Sequence, residues 1–213
     1  MNESLYEFTC GSINKSHNKS IINREDYMPE QKLIDLPRRE QEKIKPRITD
    51  ILREYPDGEM TAAVAEFAEY LLAEGMPLKW ASLNGWRAKY NGGVICSVEL
   101  PVTGSRDVWD IIPHFDFLSE YKTIVEAEGM QSIFWDNAFY CTLYPERVYN
   151  GLGCNPSKKC PGGITVTIFG KEIVGKCRHR PYPIIYDPDE KTIRGIKVLL
   201  ELEKKARVES KCQ

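Results

Sequence analysis

Residues 86–100 decide the fold of this chain, and they read WRAKYNGGVICSVEL. Asparagine followed by two glycines, Asn91 to Gly93, supplies the positive-φ backbone that a tight turn between two strands requires. Apolar residues alternate with polar ones on both sides of this turn, as in strands with one buried face: Trp86, Ala88, Tyr90, Val94, Cys96, Val98 and Leu100. The stretch therefore predicts a β-hairpin.

Helices are predicted on the N-terminal side of this hairpin. One helix begins near Pro46 and ends at the turn residues 56–58. A second covers residues 64–72, where apolar side chains recur at helical spacing, and Gly75 lies where a C-terminal cap belongs.

Shorter elements are predicted directly after the hairpin. Residues 108–112 read as a third strand, and Asp116 is placed to cap a short helix. Two aromatic runs, 133–135 and 139–141, are separated by an Asp-Asn pair and predict a second hairpin.

The C-terminal part completes the predicted architecture. Residues 164–168 and 173–174 alternate like strands, and a final helix is expected to begin at an Asp187 cap. Because the connections are short, antiparallel pairing is favoured. The predicted fold class is α+β, with an antiparallel sheet, helices packed on one face and a cysteine-rich irregular loop near the C-terminus.

The composition divides the chain into a leader and a body. Residues 1–30 are rich in Asn, Ser and Lys and offer few apolar side chains, which predicts a weakly structured N-terminal leader. Residues 31–213 are expected to form a single α+β domain that contains a cysteine-rich segment, 141–179.

Charge and hydropathy limit the expected partners. The formal net charge of −2 gives no global field that would attract nucleic acid, and the basic residues between Lys158 and Arg180 are typical of a solvated strand edge. No apolar run has the length of a membrane span, and no secretory signal is recognisable. A cytoplasmic protein is expected, with neither a membrane nor a nucleic acid as partner.

Four cysteines within the cysteine-rich segment predict a metal site. Cys141, Cys154, Cys160 and Cys177 surround a loop rich in Gly and Pro, and His179 is an alternate ligand. Four such ligands would suit a tetrahedral zinc ion, although the usual Cys-x-x-Cys spacing is missing. Buried or loop thiols without metal, a Cys154–Cys160 redox pair and an iron–sulfur cluster stay open as alternatives.

Aromatic residues suggest a second kind of site. Trp86, Trp109, Trp135 and Tyr140 lie in or near predicted strands and could line a pocket for an apolar or aromatic small molecule. The simpler interpretation is that these side chains fill the core between sheet and helices.

Motifs of catalysis are missing from the sequence, including the Gly-x-Ser-x-Gly elbow, the Walker loop and His-Glu-x-x-His. Cys96 and His114 stay candidates for a catalytic thiol–imidazole pair. Asp110, Asp116 and Asp136 stay candidates for acid–base catalysis. A non-enzymatic binding or interaction module stabilised by a metal is the favoured function. A sensor-like protein that binds a small molecule, and a thiol-dependent enzyme or redox protein, are the alternatives.

Three segments carry a resemblance. Trp86 to Tyr90, Trp135 to Asn137 and Cys160 to Gly163 together resemble a group of uncharacterised bacterial proteins. Those proteins are small α+β chains with a tryptophan-bearing hairpin and a cysteine-containing C-terminal region. The resemblance implies a bacterial, cytoplasmic setting and no particular activity.

Overall fold

The computed structural model describes residues 32–56, 58–102, 108–141 and 162–210, so the predicted leader lies outside the described part. A sheet of five antiparallel strands runs in the order β1-β2-β3-β4-β7, and β5 pairs with β6 in a separate two-stranded sheet. The strands are β1 Leu78–Ser82, β2 Gly85–Tyr90, β3 Gly93–Glu99, β4 Asp110–Pro113, β5 Gly163–Ile168, β6 Lys171–Cys177 and β7 Ile185–Tyr186. The α-helices are α1 Arg38–Ile44, α2 Ile48–Leu52, α3 Glu59–Ala73, α4 Lys122–Ala127, α5 Ser132–Trp135 and α6 Glu190–Glu209, and 3₁₀ turns cover Leu33–Asp35 and Leu118–Tyr121. The structure confirms the α+β class and the antiparallel sheet.

The central hairpin is confirmed. Asn91 and Gly92 have φ angles of 54° and 90°, and they connect the paired residues Tyr90 and Gly93. Two positive φ angles in a two-residue loop match the right-handed twist of the flanking strands. The first strand of the sheet, β1, was not predicted, and it pairs with β2 on the outer side of the hairpin.

The second hairpin, expected over residues 133–141, is wrong. Ile133 to Trp135 belong to the short helix α5, in which the backbone N–H of Trp135 donates to the Gln131 carbonyl. The indole of Trp135 donates to the carbonyl of Ile168 at 2.7 Å, so tertiary contacts fix this turn of helix. Tyr140 instead makes an isolated bridge with Lys176. A run of only three apolar residues does not distinguish a strand from one turn of helix.

One face of the five-stranded sheet packs against the long helices. Trp86, Val98 and Ile111 are cross-strand neighbours in register, and they share one apolar cluster with side chains of α3 and α6. The helical members of that cluster include Phe67, Leu71, Ile196, Leu199 and Leu200.

The opposite face of the sheet carries a smaller cluster. Ile112 directly follows Ile111 in β4, and because side chains alternate along a strand, it projects from the other face of the sheet. There it packs with Phe139, Cys177 and Ile184. The end of β6 and the chain that follows it therefore cover part of this second face of the sheet.

The last helix starts two residues later than predicted. Asp189, and not Asp187, is the N-cap, because its carboxylate accepts from the backbone N–H of Thr192 at 2.7 Å. Asp187 has a φ of 43°, and its N–H donates to the Trp109 carbonyl. In the described ranges no helix is long and apolar enough to cross a membrane.

Candidate functional site

Two adjoining cavities share the wall formed by Pro181 and Tyr182. The first, called here the aromatic pocket, has a volume of about 300 Å³. The second, called here the histidine cleft, has a volume of about 460 Å³. Pro181 and Tyr182 belong to the segment between β6 and β7 that follows the second apolar cluster.

Three phenylalanines from distant parts of the chain form the wall of the aromatic pocket. Phe115 follows β4, Phe134 lies in α5, and Phe169 occupies the turn between β5 and β6 with a φ of 47°. The Phe134 ring centroid lies 5.2 Å from that of Phe115 and 5.1 Å from that of Phe169, with the rings tilted. Tilted rings at such distances attract one another and keep their positions. The pocket therefore has a preformed aromatic surface.

Lys176, on β6, brings a buried amine to the pocket. Only 7% of the residue is exposed. Its Nζ donates to the backbone carbonyls of Arg180 at 3.0 Å and Pro181 at 2.9 Å. Among the described residues, no carboxylate pairs with this amine. Burial lowers the pKa of Lys176, because the charged ammonium is poorly solvated there.

Tyr182 connects the shared wall to a network of charges formed by the exposed Asp116 and the buried Arg207 and Glu203. Its hydroxyl donates to the carboxylate of Asp116, and burial with this hydrogen bond raises the pKa of Tyr182 to about 12. Arg207 Nη2 donates to the same carboxylate at 2.7 Å, and Arg207 Nε donates to Glu203 at 2.8 Å. Asp116 therefore orients Tyr182 and pairs with Arg207; the helix cap predicted for it is wrong, since the 3₁₀ turn and α4 that follow carry no side-chain cap.

The histidine cleft lies on the sheet face that is turned away from the helices. Arg87, Ser97 and Ile112 form one cross-strand row, and His114 comes two positions after Ile112. The imidazole Nε2 of His114 lies 3.4 Å from the Ser97 hydroxyl, and its ring centroid lies 4.3 Å from that of Tyr182. Burial lowers the pKa of His114, which favours the neutral imidazole. Such a ring can donate or accept a hydrogen bond.

Side chains of both charges border the histidine cleft, since Glu99 lies there together with Arg87 and Arg180. His179 and Arg180 border the cavity, and the Arg180 guanidinium lies 5.2 Å from the Phe139 ring centroid. His179, the predicted alternate metal ligand, is exposed at this cavity.

Two of the four predicted metal ligands, Cys141 and Cys177, lie on adjacent extended segments that are hydrogen-bonded to each other. The N–H of Cys141 donates to the Gly175 carbonyl at 2.7 Å, and the N–H of Cys177 donates to the Phe139 carbonyl at 2.7 Å. Both cysteines are adjacent to the Tyr140–Lys176 bridge, so alternation places their side chains on the same face. Cys154 and Cys160 lie outside the described residues. Within the described part no three His, Cys, Asp or Glu side chains cluster as metal ligands.

The predicted aromatic binding residues are dispersed over the molecule. Trp86 and Trp109 are 0% and 1% exposed and belong to the main core, although Trp109 also borders a cavity beside α3 and α6. Trp135 is half-buried, with the Lys171 amine 5.0 Å from its ring centroid, and Tyr140 pairs with β6. The cavity with the aromatic wall is instead built from phenylalanines, which the alternation of strand residues does not reveal.

Cys96 and His114 do not form a dyad. Cys96 pairs with Pro113 on the sheet face turned toward the helices, whereas His114, the next residue, points to the other face. Burial raises the pKa of the Cys96 thiol, so this thiol is not activated as a nucleophile.

No protein-family model, curated protein or solved structure matches this chain at a significant level.

Proposed function

We propose that this protein binds a small aromatic molecule that carries one hydrogen-bond acceptor, and that the aromatic pocket is the binding site. The proposal rests on one observation: the buried residue Lys176 brings its amine to a cavity with a phenylalanine wall. Ligand sites are typically concave, mostly apolar and furnished with a few polar groups that fix orientation.

The apolar part of the pocket favours a flat ring. The cavity volume of about 300 Å³ lies at the lower end of the range for ligand sites, which suits one or two fused rings. Phe115, Phe134 and Phe169 offer ring faces and edges, and each aromatic pair contributes roughly 0.5–1.5 kcal/mol beyond the burial of area.

The polar part of the pocket favours an acceptor on that ring. Lys176 Nζ has three donors in its ammonium form, and two of them are used by the carbonyls of Arg180 and Pro181. The third is available to a carbonyl or carboxylate oxygen of the ligand. Lys122 adds a second cation at the rim, and no acidic side chain is among the described residues that border the pocket.

The test is calorimetric titration of the full chain with 2-naphthamide, which combines two fused rings with a carbonyl acceptor. We expect saturable binding with a dissociation constant of about 1 mM or tighter, given the binding energy per atom that small ligands reach. Ala138→Leu places extra volume against the pocket, and we expect it to weaken binding about tenfold or more.

Ala127→Leu is the matched control, because Ala127 is exposed at the end of α4 and does not border the pocket. Its affinity for 2-naphthamide should equal that of the unmodified protein. No saturable binding to the unmodified protein, or equal affinity in Ala138→Leu, would contradict this function.

A second function is supported by the pairing of Cys141 with Gly175 and of Cys177 with Phe139. We also propose that a structural zinc ion holds the C-terminal region through Cys141, Cys154, Cys160 and Cys177, with His179 as alternate ligand. What supports this is that two of the thiols, those of Cys141 and Cys177, lie on one face of two adjacent segments.

Elemental mass spectrometry of protein purified without chelators tests the zinc site. We expect about one zinc per chain, lost in Cys154→Ser together with a marked fall in the melting temperature. Cys10→Ser, which changes a cysteine outside the predicted set, should keep the metal. Protein without zinc, or zinc retained in Cys154→Ser, argues against this site.

A further inference from the structure

We propose that the histidine cleft binds a small aliphatic carboxylate. This inference goes beyond the proposed function, because it concerns a different cavity and a ligand that carries a negative charge. Its first support is that two guanidinium groups border the cleft and that neither forms an ion pair within the described chain.

Arg87 lies on β2, an inner strand of the five-stranded sheet, and its exposed side chain borders the cleft. In the described ranges its guanidinium makes neither a hydrogen bond nor an ion pair. By contrast, Arg207 pairs with Asp116 and Glu203. The planar fork of N–H donors on Arg87 is therefore available to an anion, and this fork matches the two oxygens of a carboxylate.

Arg180 brings a second guanidinium to the same cavity from the segment between β6 and β7. Its contact with the Phe139 ring, at 5.2 Å from the centroid, helps to position the cation without neutralising it. Glu99 also borders the cleft, so two guanidinium charges stand against one carboxylate among the described acidic and arginine side chains there. One further negative charge balances this set, which favours a monocarboxylate over a doubly charged phosphate ester.

Ser97 adds a neutral donor next to Arg87. The two residues are directly opposite each other on β3 and β2, where side chains lie close together. Ser97 is only 7% exposed, and its hydroxyl lies 3.4 Å from Nε2 of His114. When Nε2 carries a hydrogen, the imidazole donates to this hydroxyl, and the hydroxyl hydrogen is then available to a ligand oxygen. A hydroxyl and a guanidinium can therefore bind the same carboxylate.

The rest of the cleft suits a compact aliphatic group. Ile112 continues the cross-strand row of Arg87 and Ser97, and it packs with Ile184, which also borders the cavity. The cavity volume of about 460 Å³ is within the usual range of ligand sites. Apolar side chains beside the donors would contact the hydrocarbon part of the ligand.

Calorimetric titration of the full chain with cyclohexanecarboxylate tests this site. We expect saturable binding with a dissociation constant of about 1 mM or tighter. Cyclohexanecarboxamide has nearly the same shape and no charge, and it should bind about tenfold more weakly or less. Arg87→Gln and Arg180→Gln should each weaken the binding of the carboxylate about tenfold, because each removes a charged donor.

Lys89→Gln is the matched control. Lys89 lies two residues after Arg87 on β2 and is exposed like it, but it does not border the cleft. The substitution removes the same charge, and the affinity for cyclohexanecarboxylate should stay that of the unmodified protein. The proposal is overturned if the unmodified protein shows no saturable binding, if it binds the carboxamide equally well, or if Lys89→Gln weakens binding as much as Arg87→Gln does.

Ala138→Leu separates this site from the aromatic pocket, because Ala138 borders that pocket and not the cleft. Carboxylate binding that is kept in Ala138→Leu and weakened in Arg87→Gln supports the histidine cleft, whether or not 2-naphthamide binds. Carboxylate binding that is lost in Ala138→Leu and kept in Arg87→Gln would place the anion in the aromatic pocket and contradict the inference.

Discussion

At the residue scale, Glu203 is the most completely satisfied charged group near the site. It is 0% exposed, yet four donors reach its carboxylate. They are the backbone N–H groups of Asp116 and Phe117 at 3.1 and 3.2 Å, the Tyr121 hydroxyl at 2.7 Å, and Arg207 Nε at 2.8 Å. A buried charge persists only when it is paired and hydrogen-bonded, and Glu203 meets both conditions.

We expect Glu203→Gln to lower the free energy of unfolding by about 3 kcal/mol, the usual cost of breaking a buried ion pair. The amide has the shape of the carboxylate, but its NH₂ would face donors, and Arg207 would lose half of its compensating charge. Urea unfolding of the full chain measures the change.

Glu209→Gln is the control for this substitution. Glu209 lies six residues further along α6; its side chain is 62% exposed, and its carboxylate lies 4.0 Å from the Lys205 amine. Its replacement should change the unfolding free energy by no more than about 0.5 kcal/mol. Equal effects of the two substitutions would show that the buried network does not stabilise the fold.

At the element scale, the β5–β6 hairpin depends on a close approach of two glycines. A Cβ atom added to Gly163 would lie 2.8 Å from the carbonyl carbon and oxygen of Gly175 and 2.9 Å from its Cα. These are backbone atoms, so they cannot rotate away. The hairpin carries Lys176 next to Gly175, and the position of the amine therefore depends on this contact.

Gly163→Ala is expected to destabilise the protein by about 1–3 kcal/mol, the usual cost of overpacking. It should also weaken the binding of 2-naphthamide, because the strand that carries Lys176 is displaced. Thermal unfolding and calorimetric titration measure the two effects. In Gly58→Ala the added Cβ meets nothing within 4 Å and lies away from the pocket, so this variant should retain the affinity for 2-naphthamide. Unchanged stability and affinity in Gly163→Ala would mean that the strands can separate without consequence.

The sequence predicts elements well where local chemistry and tertiary structure agree. The hairpin over residues 86–100 combines strict alternation with a turn that only asparagine and glycine form easily, and the structure contains it. Residues 133–135 are apolar and bulky, as the residues of a buried strand are, but the hydrogen bond from Trp135 to Ile168 holds them in a helical turn. That partner is distant in the chain, and no local pattern contains it.

The candidate site was harder to predict for the same reason. Phe115, Phe134 and Phe169 come from three separate parts of the chain, and only the tertiary structure places their rings together. Lys176 looks in the sequence like one more residue of a basic run. Its burial depends on the segment that contains Arg180 and Pro181, whose path the sequence does not indicate. The predicted cysteine cluster stays a prediction, because Cys154 and Cys160 lie outside the described residues.

At the scale of the described molecule, the two faces of the five-stranded sheet have different surroundings. One face is covered by α3 and α6 and forms the larger apolar cluster. The other face carries the row Arg87, Ser97 and Ile112, and the smaller cluster with Phe139 covers only part of it. Polar side chains are retained on this second face because they reach solvent at the histidine cleft.

The wall shared by the two cavities has a thermodynamic consequence. Pro181 and Tyr182 border both cavities, and Lys176 holds this wall through the carbonyls of Arg180 and Pro181. A molecule that shifts Tyr182 from one side changes the space on the other, so the two occupancies are linked. Linkage is reciprocal. If a ligand in the aromatic pocket changes the affinity of the histidine cleft by some factor, a ligand in the cleft changes the affinity of the pocket by the same factor. Because the shared wall is only two residues long, a ligand bound in either cavity would act as an allosteric effector of binding in the other.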